Sequence, residues 1–509
     1  MESAQKAWSE LIILLVFVFS ISWVQAQSHP AKKIVRGVYT KEEKAILEDW
    51  EKRADSAIGW HKMSREFVAS KDSIQDMGLA VDFWNPLWHD DNYARNTRWG
   101  TIIAPPMYLE RVKQGTGVSP TIPRSHGYTG HYYLGEDWEF YQAVQPNDSF
   151  RVWSNKSQLV DVTSPDGNGP RTFTNLLQDL DIINQRDELV NKFKLYLEFF
   201  VLPEPPEVKN KIKEEYRYTK EELEEIDRIA NKEEVRGANI RYWEHVNTGD
   251  DIGKVILGPT TLYDQLILYA VRSEEPFIPA REVRKQAGPL GPMMIDPETN
   301  VTHIPIEWHF SRSQAQLNGE PQPFHFGAQA RTLMARLITN WMGDDGFVRR
   351  FSWRHMVRTP VGDTVFCSGK VINKRVENGE HLVDLSVWQE NIRGHVTEAA
   401  IATVSLLSKE TPNRKHSADY RQEISKYHKE RKTADIKIGD KVRIKDRNDW
   451  PFASGNRLMG SEGVVIKLWE SQDVMEDFQE YLNVQIEKTN ADVDPGTALM
   501  FRVENLEKK

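Results

Sequence analysis

Residues 323–370 read PFHFGAQARTLMARLITNWMGDDGFVRRFSWRHMVRTPVGDTVFCSGK. Leu333, Leu337, Ile338 and Trp341 fall at helical spacing, which predicts a helix of about 15 residues after Gly327 with one apolar face. Gly343 ends it, and Asp344-Asp345-Gly346 turns the chain. Phe347, Phe351 and Trp353, then Val365 to Val371, read as antiparallel strands split by a Val361-Gly362-Asp363 turn. A glycine at a helix start lets a ligand approach the backbone, where free N–H groups and the helix dipole favour a developing negative charge. Gly327 reads either in that role or as a tight turn, and His325 just ahead of it is placed to touch such a ligand.

Outward from this stretch, Ile304-Pro-Ile-Glu307-Trp-His309-Phe-Ser311 puts a carboxylate two residues from an imidazole, on one side of the chain if the segment is a strand. Far upstream, Asp82-Phe-Trp-Asn85-Pro-Leu-Trp88-His89-Asp90-Asp91-Asn-Tyr93-Ala-Arg95 contains an Asn-Pro-Leu turn that lets Asp82 and His89 converge. Either pair is suited to activating water and moving a proton. Without that role, Asp82 caps a turn with His89 exposed, and the histidines are hydrogen-bonded core residues. Thr101-Ile-Ile-Ala-Pro105-Pro106-Met107 opens a second helix, with Pro105 where the later half has Gly327. Tyr218-Thr219-Lys-Glu-Glu222 nearly repeats Tyr39-Thr40-Lys-Glu-Glu43, both with capping-box spacing, and Asn147-Asp148 matches Gly362-Asp363. Three landmarks in one order indicate two related domains.

The segments from Gly327 to Trp341 and from Gly379 to Leu406, with the Asp82–Arg95 block, resemble MaoC-like dehydratases. The resemblance covers 235–408 well and 62–200 more loosely. It implies an α+β chain with two hot-dog domains, each an antiparallel sheet wrapped round a central helix. It further implies an enoyl-thioester hydratase or dehydratase with acyl-CoA or an acyl carrier as substrate, no metal or redox cofactor, and a homo-oligomer. Carried over by position, the catalytic candidates are Asp82 with His89, or Glu307 with His309; Asn85, Trp88, His325 and Gly327 are the substrate-binding candidates. The chain departs from the family block: Asp82 stands one residue too far from Asn85, Trp88 takes the histidine position, and Ile304 and Ser311 take the two aspartate positions. A non-catalytic acyl-thioester-binding paralogue and a hot-dog thioesterase are the alternatives.

Leu11–Val24 is an apolar run followed by Gln25-Ala26, too short for a confident span and read as a signal peptide or anchor over 1–26, hence export or membrane association through 11–24. A mis-assigned start would leave the protein cytoplasmic. The remaining bounds are 38–203 and 235–408 for the hot-dog domains, 204–234 for a linker and helix, 409–433 for a connector, and 434–509 for a C-terminal module. That module's short alternating strands and Gly-rich turns read as a small all-β barrel resembling the SH3-like barrel of nitrile hydratase β subunits. The net charge of −9 and the lack of a basic tract argue against a nucleic-acid partner. A single cysteine, Cys367, rules out an internal disulfide and a cysteine-based zinc site.

Overall fold

The computed structural model describes residues 34–61, 67–114, 130–164, 171–200, 215–272, 281, 294–296, 299–317, 320–410, 436–446, 458–466 and 481–509 except 492 and 494. The expected leader and the expected connector from Asn413 to Lys432 lie outside these. Among the described residues no helix is long and apolar enough to cross a membrane.

The labelled helices are α1 (Lys41–Ser56), α2 (Lys71–Val81), α3 (Glu110–Gln114), α4 (Lys220–Ala230), α5 (Leu262–Arg272) and α6 (Gly327–Met342). The longer strands are β1 (Gly130–Phe140), β2 (Ser149–Ser154), β3 (Thr172–Asn184), β4 (Leu189–Phe200), β5 (Asp251–Leu257), β6 (Phe347–His355), β7 (Val365–Glu377), β8 (Glu380–Asn391) and β9 (Val396–Leu406). They join in one antiparallel sheet of 12 strands, whose central order is β2-β3-β4-β1-β6-β9-β8-β7-β5. β6 and β7 therefore do not pair: the chain between them crosses two strands. The two halves meet where β1 runs beside β6, from Arg350 opposite Glu139 to Arg354 opposite Gly135.

The helix α6 lies in the curve of the second half, against β5, β6, β7, β8 and β9. It was expected to bury one face, but 14 of its 16 residues are buried. The sheet takes the apolar stripe, and α2, α5 and the Glu110 region cover the polar side. The first half has no equivalent helix over 101–109. Pro105 and Pro106 offer no N–H and Met107 adopts φ 47°, so the chain turns there and helix begins only at Glu110.

Both capping boxes form, at Thr40 with Glu43 and at Thr219 with Glu222. The paired turns also do matching work. Asp148 accepts from Arg186 at 2.9 Å and Asp363 from Arg393 at 2.9 Å, each arginine lying in the last hairpin turn of its half. Those hairpins share a pattern: the side chains of Asn184 and Asn391 each accept from backbone N–H groups two and four residues on.

Gly135 sits on the seam with φ 150°, and a Cβ there would lie 2.0 Å from the Trp353 carbonyl oxygen. Gly135→Ala is therefore expected to cost roughly 2–6 kcal/mol, the sum of backbone strain and overpacking. Urea unfolding should show it as a lower midpoint at unchanged slope.

The C-terminal module has β10 (Lys441–Ile444), β11 (Glu462–Ile466), β12 (Tyr481–Lys488), β13 (Ala498–Arg502) and β14 (Leu506–Lys508). They form a five-stranded sheet in the order β13-β12-β11-β10-β14. β13 and β14 do not pair, so the sheet is open where a closed barrel was expected. Tyr481 and Met500 pack against Met356, Trp388 and Ile401 of the large sheet, with the Arg502 guanidinium 3.7 Å from the Trp388 ring centroid.

Candidate functional site

Asp82 caps the C-terminus of α2, and Asn85 starts a single 3-10 turn over Pro86–Trp88 by accepting from the Leu87 N–H. This turn directs Trp88 inward, where its indole N–H donates to Asp82 Oδ2 at 3.2 Å. Gly78 makes the room, since a Cβ there would be 2.5 Å from that of Trp88. Arg336 of α6 approaches the other Asp82 oxygen at 3.6 Å and also pairs with Glu233. Burial pushes the Asp82 carboxyl up, with Trp88 and Arg336 opposing. His89 instead donates from Nε2 to the Phe83 carbonyl at 3.0 Å. The expected Asp82–His89 pair is thus not formed: the tryptophan holds the position facing the aspartate, and the imidazole turns outward.

Beside this turn a cleft of about 650 Å³, counted with its open mouth, runs between the halves. Asn85, Leu87, Trp88, Pro105, Met342 and Phe347 contribute to its mainly apolar wall, and a smaller cavity behind it reaches Asp82 and Arg336. Neither His89 nor His309 lines either of them.

In the second half the block over Pro305–His309 is also a 3-10 turn, not a strand. At three residues per turn, positions two apart diverge, so Glu307 and His309 separate. Glu307 pairs with His303, one turn back, and its other oxygen accepts from the Ile304 N–H at 3.2 Å. The expected Glu307–His309 pair is therefore corrected to Glu307–His303.

His309 reaches the start of α6. Its Nδ1–H donates to the Phe324 carbonyl at 2.8 Å, and its ring sits 4.4 Å from that of Phe326. That bond fixes the tautomer and leaves Nε2 with a lone pair. Burial lowers this imidazole to about 3, with Arg358 and Arg272 adding to the effect. His325 is buried too: Thr260 gives its own proton to the Asp363 carbonyl, so His325 Nε2–H donates to Thr260 Oγ1 at 2.8 Å. The His325 Nδ1 has no hydrogen-bond partner among the described residues, and burial lowers this ring to about 3 as well. Gly327 opens α6, but the space it leaves is taken by protein. A Cβ there would be 2.8 Å from the Trp353 ring and 3.3 Å from the Arg331 guanidinium.

Under that helix start lies a buried ionic network not foreseen in the sequence. Arg331 pairs with Glu110 and, at 3.1 Å, with Glu136; Arg272 meets Glu110 at 3.0 Å. Tyr133 and Trp138 donate to Glu136. The one sequence signal was a charged residue, Arg331, a turn inside an otherwise apolar helix start. Cys367 is buried, which pushes its thiol well up, so it is an inert core residue. Among the described residues no group of three histidine, cysteine or acidic side chains is arranged to hold a metal ion.

These histidines make stability depend on pH. His309, His325 and His395 all titrate near 3 when folded, against an ordinary value of 6.5. Between those values the unfolded chain binds more protons, so stability present above pH 6.5 is lost as pH falls. Each histidine contributes up to about 1.4 kcal/mol per pH unit. Urea midpoints should therefore fall between pH 7.5 and pH 5, and less so in His395→Phe.

Residues 56–193 match the family model described as FAS1-like, dehydratase domain region. The match falls in the half where the resemblance was looser. No curated protein matches the chain. Among solved structures, a MaoC-like dehydratase is similar at 12% identity, covering 70% of this chain and all of that one, with a TM-score of 0.46. A Mycobacterium tuberculosis protein described as having a double hot-dog fold is similar at 11% identity, over 70% of this chain and 98% of that one, with a TM-score of 0.42. The peroxisomal multifunctional enzyme type 2 of Drosophila melanogaster is similar at 9% identity, over 74% of this chain and 54% of that one, with a TM-score of 0.40. Sequence similarity to a dehydratase family thus covers the first half, from 56 to 193.

Proposed function

We propose that the chain is an acyl-thioester hydratase or dehydratase whose chemistry takes place in the second half, with His309 as a proton acceptor. The observation that carries this reading is the tautomer of His309: its proton is committed to Phe324, and its Nε2 lone pair faces no hydrogen-bond donor among the described residues, at the start of α6. Removing water from a 3-hydroxyacyl thioester requires a base at the α carbon and an acid at the leaving hydroxyl. The thioester carbonyl itself takes up the developing charge. The cleft beside Trp88 lies against Thr339, Met342 and Gly343, at the other end of α6 from His309, and its acidic neighbour Asp82 is bound to Trp88 and Arg336.

A second reading, an acyl-thioester-binding protein without chemistry, is favoured by Trp353 covering Gly327 and by both block carboxylates being engaged elsewhere. Incubation with crotonyl-CoA and a long-chain enoyl-CoA separates the two. Loss of enoyl absorbance supports hydration. Release of free thiol instead indicates hydrolysis, and calorimetric binding with neither change indicates the binding protein.

A further inference from the structure

Opposite the turn that carries Trp88, α6 brings Arg336 to the smaller cavity behind the inter-half cleft, where it meets Asp82. The two cavities adjoin, since Trp88, Pro105, Pro106 and Thr339 line both. Trp88 and Asn85 each give the Asp82 carboxyl a hydrogen bond. A carboxylate has about four acceptor positions, so capacity remains. Glu233 takes one end of the Arg336 guanidinium, while its buried Nε–H has no hydrogen-bond partner among the described residues. Arg336 Nε and Asp82 Oδ1 stand 3.6 Å apart, too far for a direct hydrogen bond. An oxygen about 2.9 Å from each closes a triangle on that side and serves both. A buried donor without an acceptor is costly, and here it points to a guest that supplies one.

The chemistry of that guest is narrow. It accepts from Arg336 and donates to Asp82, which a hydroxyl does with one atom. A carboxylate has no proton to give, and would add a third negative charge beside Asp82 and Glu233. An ammonium has nothing to accept with, and would face the Arg336 cation. Either ion would also lose its hydration among mainly apolar walls, at far greater cost than a hydroxyl. Leu87, Ile103, Leu109, Phe140 and Val348 contribute to those walls and suit an aliphatic body. The volume of about 650 Å³ lies within the range of small-molecule sites.

We propose that the cleft between the halves binds an uncharged aliphatic alcohol, its hydroxyl seated between Asp82 and Arg336 and its chain against the apolar walls. The site lies away from His309 and does not depend on the hydratase reading.

The test titrates the full chain, by calorimetry, with four probes of similar length. These are 1-octanol, octanoate, octylammonium and 1-methoxyheptane, the last keeping the oxygen without its proton. We expect 1-octanol to saturate one site and to bind roughly tenfold more tightly than each of the others. Ala143 lines the cleft and is half-buried, so Ala143→Phe should fill that space and abolish binding. Arg336→Met should bring 1-octanol down to the level of 1-methoxyheptane; if that variant does not fold, the probe series and Ala143→Phe decide. No saturable binding of 1-octanol overturns the proposal and leaves an ordered water as the partner of Arg336. Equal affinity for 1-octanol and 1-methoxyheptane, tighter binding of either ion, or undiminished binding by Ala143→Phe overturns it as well.

Discussion

Alanine at His309 is expected to lower turnover of 3-hydroxyacyl or enoyl thioesters by about 10²- to 10⁴-fold, the usual worth of a positioned acid or base. His309 also fills space between Phe324 and Phe326, so His309→Phe is the packing control, and should be as inactive as alanine while unfolding at a higher urea concentration. The pH–rate profile carries a second signature. Because the ring is held neutral down to about pH 3, it should give no acid limb near 6.5. Turnover by His309→Ala at the wild-type rate would remove the second half from the chemistry.

Arg331→Leu is expected to destabilise the chain by about 3–5 kcal/mol, the cost of breaking a buried ion pair from one side. Arg331 is 2% exposed and Glu136 fully buried, so water does not replace the lost partner. Burial opposes the guanidinium's charge, but Glu110 and Glu136 outweigh it and keep the arginine firmly protonated. Without Arg331, Arg272 still faces Glu110, while Glu136 loses its arginine and keeps the Tyr133 and Trp138 donors. The double variant Arg331→Leu with Glu136→Leu should recover part of the loss, because it leaves one less unpaired charge in the interior. Chemical denaturation of the three proteins measures both effects.

Local signals in the sequence located much of the second half. Spacing from Leu333 to Trp341, with Gly343 after it, marks α6 and its end, because helical period and a C-terminal glycine are properties of neighbouring residues. The burial of the polar side of α6 was not legible, since the groups that cover it, such as Glu110, come from the other half. The Asp82 and Glu307 blocks were misread for a smaller reason. Each is a 3-10 turn, whose three-residue repeat points Trp88 inward and separates Glu307 from His309. The hairpin repeat of Asn184 and Arg186 with Asn391 and Arg393 was written in the sequence in plain sight, as Asn-x-Arg in both halves. The facing of His355 by Glu398 depends on strand register, which no short stretch encodes.

The hydrogen-bonded join between β1 and β6 also governs how a ligand can get in and out. Two lobes fused edge to edge by a backbone ladder have no hinge, so the crevice between them cannot gape and close as a clam shell does. Entry must come from side chains swinging at its rim, and discrimination among guests from a preformed shape. Guests of different length should accordingly differ more in how slowly they leave than in how fast they arrive.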